Sequence, residues 1–178
     1  EVMKIEKAKV YCRTCSTRTK FARNATATYG FEVEAVKSPK EAVKDVDVVV
    51  TTTPSRKPLI KVDWISSGTH INAMGADAPS KQELDTNLLQ KSKIVVDSWE
   101  QAKHSGEINV PVSQGILKRN DIHAKLGEII IGKKVGREKD EITIFDSTGL
   151  AVQDTVTAWQ IYRKVLEKGV GTKFDFQG

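Results

Sequence analysis

Apolar and polar positions follow two rhythms along this chain. Short runs rich in β-branched residues recur at Ala8 to Tyr11, Phe31 to Val36, Val46 to Thr51, His70 to Met74, Lys93 to Asp97 and Ile142 to Phe145, and each reads as a strand. The run Val46 to Thr51 is nearly all apolar, which predicts burial on both faces. Segments with helical spacing lie between the strands. Ser16 to Tyr29 reads as a helix, with Ser16 as N-cap and Gly30 as its stop. Ser38-Pro39-Lys40-Glu41 has the form of a capping box and opens a short helix ending near Val43 or Lys44. Lys61 to Ile65 predicts a helical turn, and Asp85 to Gln90 and Ser98 to Lys103 predict short helices. Residues 104–121 read as loop, on Gly106, Pro111 and Gly115. Ile122 to Ile131 reads as a helix, Ala151 to Lys168 as the longest amphipathic helix, stopped at Gly169, and Thr172 to Phe176 as a last strand.

Strands that alternate with short helices predict an α/β fold, a Rossmann-like doubly wound and mainly parallel sheet with right-handed crossovers. Such sheets bind ligands beyond the carboxyl ends of their strands. Four segments follow strands here: Cys12-Arg13-Thr14, Thr51-Thr52-Thr53-Pro54, Gly75-Ala76-Asp77 and Asp146-Ser147-Thr148-Gly149. All are small, polar or glycine-bearing, which is what close approach to a ligand requires.

Composition narrows the choice. The 178 residues carry 28 Lys and Arg against 23 Asp and Glu, a net charge of +5, with 39% apolar and 29% charged residues. That is the make-up of a globular domain. No apolar run reaches the roughly 20 residues of a membrane helix, and no charged-then-apolar leader opens the chain; a cytoplasmic protein without membrane contact is expected. The basic residues are interleaved with acids, as in Lys37-Ser38-Pro39-Lys40-Glu41, and aromatic residues are only 6%, which argues against a nucleic-acid partner. Cys12 and Cys15, the two cysteines, form a C-x-x-C after a strand, the setting of a redox pair; a zinc site would need two further ligands, and His70, His104 and His123 are scattered. Two reduced thiols are the plainer reading.

No G-x-G-x-x-G follows a strand, and Gly169-Val170-Gly171 follows a helix. If the domain binds a dinucleotide, its first strand and phosphate loop precede residue 1, and the strand ending at Tyr11 is the second of the fold. That strand normally ends in an acid for the ribose hydroxyls. Here Cys12, Arg13 and Thr14 follow. Losing the acid removes repulsion of a 2′-phosphate, and Arg13 offers a planar donor fork, so NADP is preferred over NAD.

The stretch Gly68-Thr69-His70-Ile71-Asn72-Ala73-Met74-Gly75-Ala76-Asp77-Ala78-Pro79-Ser80-Lys81-Gln82-Glu83-Leu84-Asp85 closely resembles a signature of the ornithine cyclodeaminase/mu-crystallin family. Ile144-Phe145-Asp146-Ser147-Thr148-Gly149-Leu150-Ala151-Val152-Gln153-Asp154 resembles its second signature. Thr51 to Pro58, Glu100 to His104 and Gly106 to Val110 look most like the archaeal alanine dehydrogenases of that family. The likeness runs from about Lys7 to the C-terminus.

The resemblance implies a partial NAD(P)-binding domain over residues 1–149. Residues 150–178 would be a helix and strand that pack on a separate substrate and dimerisation domain, through which the protein would form a homodimer. It implies Asp77 as the catalytic acid/base contacting the substrate amino group. Cofactor contacts would come from Cys12, Arg13, Thr14, Thr51, Thr52, Met74, Gly75, Ala76, Lys81 and Ser147, and substrate contacts from Asp77, Thr148 and Gly149; Asp146 would fix its loop. No metal is implied. The implied activity is amino-acid dehydrogenation, interconverting L-alanine with pyruvate and ammonia. The alternatives are ornithine cyclodeamination to proline and ammonia, cyclic ketimine reduction, or NADP-dependent binding of a small ligand.

Overall fold

A computed structural model describes residues 3–175 of the chain. It divides into two units, residues 1–148 and 149–178.

The first unit alternates strands and helices as the sequence pattern predicts. Its elements are β1 (Lys7–Val10), α1 (Cys15–Tyr29), β2 (Glu32–Ala35), α2 (Pro39–Val43), β3 (Val48–Thr51), β4 (His70–Ala73), α3 (Thr86–Gln90), β5 (Lys93–Val96), α4 (Trp99–Ser105), α5 (Asn109–Ser113), β6 (Ala124–Lys125), α6 (Leu126–Ile130) and β7 (Thr143–Asp146). Single 3-10 turns lie at Val62–Trp64 and Arg119–Asp121. Every ladder is parallel: β1 pairs with β2, and a five-stranded sheet runs β3-β4-β7-β5-β6. The last strand in sequence, β7, lies between β4 and β5, so all the carboxyl ends point one way.

Local chemistry sets the boundaries. Half of the α2 capping box forms as read, Ser38 Oγ accepting from the Glu41 N–H, while Glu41 Oε2 accepts from the Lys37 N–H, one residue before the N-cap. Helix α1 begins one residue before the expected Ser16, with Thr14 as N-cap, and ends at Gly30 in the left-handed region (φ 76°). Asp85 caps α3 through the Asn87 N–H.

Three expectations need correction. Val46 to Thr51 is not buried on both faces: Val48 and Val50 remain exposed, because β3 pairs only with β4 and one of its faces is uncovered. Residues 104–121 are not all loop, since α5 forms there; its Pro111 sits in the first turn, where a missing N–H costs no intrahelical bond. Ile122 to Ile131 is not one helix. Ala124 and Lys125 pair with Val95 and Val96 as β6, so tertiary pairing overrides helical spacing until Leu126.

The core lies on one face of the large sheet. Ile71, Ala73, Ile94, Val96 and Ile144 point toward Leu88, Leu89, Ala102 and Ile108 on the helix layer, all at 1% exposure or less. Each fully buried Leu or Ile contributes about 1.5–3 kcal/mol. The opposite face presents His70, Asn72, Lys93, Val95, Thr143 and Phe145.

The second unit holds α7 (Ala151–Lys168), closed by Gly169 in the left-handed region. Its Val152, Val156, Trp159, Tyr162 and Leu166 are exposed. Residues 172–175 form no strand, and Phe176 lies outside the described residues. No helix among the described residues is long and apolar enough to cross a membrane.

Candidate functional site

Parallel strands deliver their next residues to one edge, and the segments singled out from the sequence gather there. Thr51 ends β3, and its carbonyl accepts the Met74 N–H (2.9 Å) at the end of β4. Ser147 follows β7, and its N–H bonds the Ala73 carbonyl (3.1 Å). The Thr51–Thr53 and Met74–Asp77 segments and Ser147 therefore lie side by side. Cys12, Arg13 and Thr14 follow β1 in the smaller sheet; Arg13 and Thr14 are exposed, and both cysteines are free thiols. Gly149 falls in the second unit.

The turn after β4 is narrow. A Cβ placed on Gly75 would sit 2.4 Å from Glu83 Oε2 and from the Thr53 carbonyl, and 2.5 Å from the Thr53 nitrogen. Only glycine lets the two loops close on each other. Ala76 is buried, whereas Met74 and Asp77 face outward. Asp77 pairs with Lys81, four residues on, whose side chain is mostly covered. That hydrogen bond, and then the lysine charge itself, hold the Asp77 carboxyl below its usual range. Asp77 is thus an ionised carboxylate at neutral pH, able to accept a proton or to bind an ammonium group.

The segment Ala78–Lys81 is gripped from two sides. Asn109 accepts from the Ser80 N–H (2.9 Å) and donates to the Lys81 carbonyl (2.7 Å), and Arg56 donates to the Pro79 carbonyl (3.0 Å) and to Ser80 Oγ.

Behind the edge lie buried carboxyl groups that the sequence reading did not assign. Glu83, at 0% exposure, accepts from the Thr53 N–H (2.6 Å) and the Gly75 N–H (3.1 Å). Glu107 accepts from the Glu83 and Leu84 N–H groups (2.9 and 2.6 Å), and Asp146 from the Glu107 and Ile108 N–H groups (2.8 and 3.2 Å). Burial drives Glu107 well above the usual range and Asp146 up to about 7; amide hydrogen bonds oppose both shifts, while the charges of Asp146 and Glu83 on Glu107, and of Asp97 on Asp146, reinforce them. Asp146, expected to fix its own loop, instead holds the Glu107–Ile108 segment, and the loop after β7 is held by Asp97. Asp97, at the end of β5, takes the Ser147 hydroxyl (3.2 Å), the Thr148 N–H (2.8 Å) and the Thr148 hydroxyl (3.1 Å). Asp97 could have been found from sequence, because it too follows a strand. Glu83 and Glu107 gave no such signal, since neither follows a strand.

Two observations bear on whether this edge suits a nicotinamide dinucleotide. The Thr51 hydroxyl is buried with no hydrogen-bond partner, so it retains capacity for a ligand. The close packing that Gly75 permits holds the β4 turn against the Thr53 loop, so the backbone at the strand end is fixed where a ligand would meet it. The donors present fit the group.

The chain is 58% identical, over 81% of its length, to an alanine dehydrogenase of Archaeoglobus fulgidus, covering 45% of that protein. A solved archaeal alanine dehydrogenase dimer with bound NAD superposes with TM-score 0.91 at 51% identity, over 98% of this chain and 54% of that one. The Thermococcus litoralis Delta(1)-pyrroline-2-carboxylate reductase, solved with NADH and L-proline, gives 0.90 at 43% identity, over 95% of this chain and 53% of that one. The chain thus spans about half the length of these relatives. With the ornithine cyclodeaminase/mu-crystallin family model matching residues 1–169, the chain belongs to that family.

Proposed function

We propose that this chain is the dinucleotide-binding part of an NAD(P)-dependent oxidoreductase that acts at the C–N bond of an amino acid, with L-alanine, pyruvate and ammonia as its substrates. The observation that carries the reading is Asp77. An ionised carboxylate stands at the carboxyl edge of a parallel sheet, paired with Lys81 and carried on a turn that Gly75 lets pack closely against the Thr53 loop. The 58% identity to an alanine dehydrogenase supports the choice of substrate.

Thr51, Thr52, Met74, Gly75, Ala76, Lys81 and Ser147 would hold the dinucleotide, which when bound exchanges a hydride with the substrate α-carbon. Asp77 binds the substrate ammonium, accepts a proton from it, and orients water at the carbon that becomes the carbonyl. Thr148 and Gly149 would complete the substrate side. Arg13, exposed beyond β1, would read a 2′-phosphate and favour NADP. The two solved relatives carry NAD and NADH, so the two forms are assayed in parallel.

The sheet suggests what else the working enzyme contains. Among the described residues, neither β1 nor β3 has a ladder partner on its outer edge. One further parallel strand between them would join the two sheets, and the loop after it would reach the phosphates. The exposed apolar stripe of α7 would pack on another domain of the same polypeptide and bring it into a homodimer. The free thiols of Cys12 and Cys15 suit the cytoplasm.

A cyclic imine is the second candidate substrate, because the 43%-identical relative was solved with L-proline. Loss of NADPH or NADH absorbance with pyruvate and ammonium, in the intact polypeptide carrying these residues, supports the alanine reading. Loss with pyrroline-2-carboxylate alone supports the second, and ornithine converted to proline without net reduced cofactor supports a cyclodeaminase. In the active assay, Asp77→Asn should lower turnover by about 10²- to 10⁴-fold while cofactor still binds. Retained turnover rejects the role of Asp77.

A further inference from the structure

Glu83 is fully buried behind the site, as are Glu107 and Asp146, so its side chain is covered by protein rather than open to a ligand. Its two oxygens go to different loops, Oε1 to the Thr53 N–H after β3 and Oε2 to the Gly75 N–H after β4. The residue is itself immobilised. Its N–H is held by both Glu107 oxygens (2.9 and 3.1 Å), and its carbonyl accepts from Leu59 (2.7 Å) and Ile60 (3.0 Å). Glu107 is anchored in turn by Asp146 at the end of β7. The chain of contacts therefore runs from the middle strand of the sheet, through three buried carboxyl groups, to the two loops.

The hydrogen-bond partners of these three groups are backbone N–H groups rather than cations. A buried carboxylate without a counter-ion is a poor source of stability, since an apolar side chain of the same volume does as well at lower desolvation cost. What a carboxylate does supply is two acceptors at a fixed separation, which rigidly sets the distance between two donors.

We infer that Glu83 is a positioning residue that fixes the Thr51–Thr53 loop against the Met74–Asp77 turn and thereby sets affinity for the nicotinamide dinucleotide; this rests on the cofactor reading given above. In Glu83→Gln one acceptor becomes an NH₂ that faces an N–H, so one loop is released. In Glu83→Asp the side chain is one methylene short and spans only one loop.

The test is made on the intact polypeptide, with NADH and NADPH fluorescence titration, steady-state kinetics and thermal unfolding. Both variants should raise Kd and KM for the dinucleotide by about tenfold or more. Any fall in kcat at saturating cofactor, through movement of the turn that carries Asp77, should be smaller than the rise in Kd. Leu88→Ala, a core truncation on α3, should lower Tm comparably and leave Kd within about twofold. If Glu83→Gln lowers Tm as Leu88→Ala does but leaves Kd unchanged, Glu83 is only structural and the inference is overturned. Should neither Glu83 variant fold, amide exchange of the cofactor-free wild type decides: slow exchange at Thr53 and Gly75 supports the clip, and exchange as fast as an exposed turn rejects it. A wild type that binds neither dinucleotide overturns the cofactor reading and the affinity role together, while amide exchange still judges the clip.

Discussion

Replacing Asp146 by Asn should change the sign of its effect on stability between pH 4 and pH 8. The side chain is completely buried at the end of β7 and accepts two backbone N–H groups. Burial raises its carboxyl from 3.8 to about 7. Across that interval the folded protein holds a proton that the unfolded chain has released, so stability falls as pH rises, and it levels off above the folded value. At about 1.4 kcal/mol per pH unit over roughly three units, the loss is ~4 kcal/mol. Glu107, raised in the same direction, adds to it. Asn carries no such proton. Its cost is one misplaced donor, ~1–3 kcal/mol at every pH. The variant should therefore be less stable than wild type at pH 4 and as stable or more stable at pH 8. Urea unfolding followed by fluorescence of Trp64 and Trp99 reads the effect. With a slope near 2 kcal/mol per molar, the midpoint difference between variant and wild type should swing by about 2 M across the range. A difference constant to within about 1 kcal/mol over that range would falsify the account of Asp146 as a buried, proton-holding group.

Three further substitutions test the site, with a fourth, at Gly127, as a control. Lys81→Met removes the cation that lowers the Asp77 pKa, so the acid limb of the kcat/KM profile should move to higher pH; an unmoved limb means the pair does not control Asp77. Gly75→Ala places a Cβ against the Thr53 backbone and should cost about 1–3 kcal/mol in unfolding free energy, along with cofactor affinity. Gly127→Ala, where the Cβ meets nothing within 4 Å, should be neutral or stabilising by less than ~1 kcal/mol; equal effects at the two glycines contradict the close-approach argument. Arg13→Ala should raise KM for NADPH by about tenfold or more and barely move that for NADH. Equal changes for both reject Arg13 as a reader of the 2′-phosphate.

Much of this protein was legible along the chain because the information is local. Ser38, Pro39 and Glu41 specify a helix start wherever they occur, and Gly30 and Gly169 stop helices through φ values that other residues resist. The alternation of apolar runs with short helices forces a parallel sheet, and a parallel sheet puts residues such as Asp77 and Ser147 on one edge. Other features depend on which strand lies beside which. Ala124 and Lys125 are a strand because they pair with β5, and Val50 stays exposed because that face of β3 is uncovered. Glu83 and Glu107 look like ordinary surface acids in sequence. Their roles came from folding, which brought amides 24 and 30 residues away within hydrogen-bond distance. The sequence by itself determined most of the elements, the α2 start, the glycine helix stops and the loops that meet at the edge, since those follow from backbone sterics and short-range hydrogen bonds. The tertiary structure alone decided how those loops are spaced and which acids are buried, because desolvation and long-range pairing exist only once the chain has closed on itself.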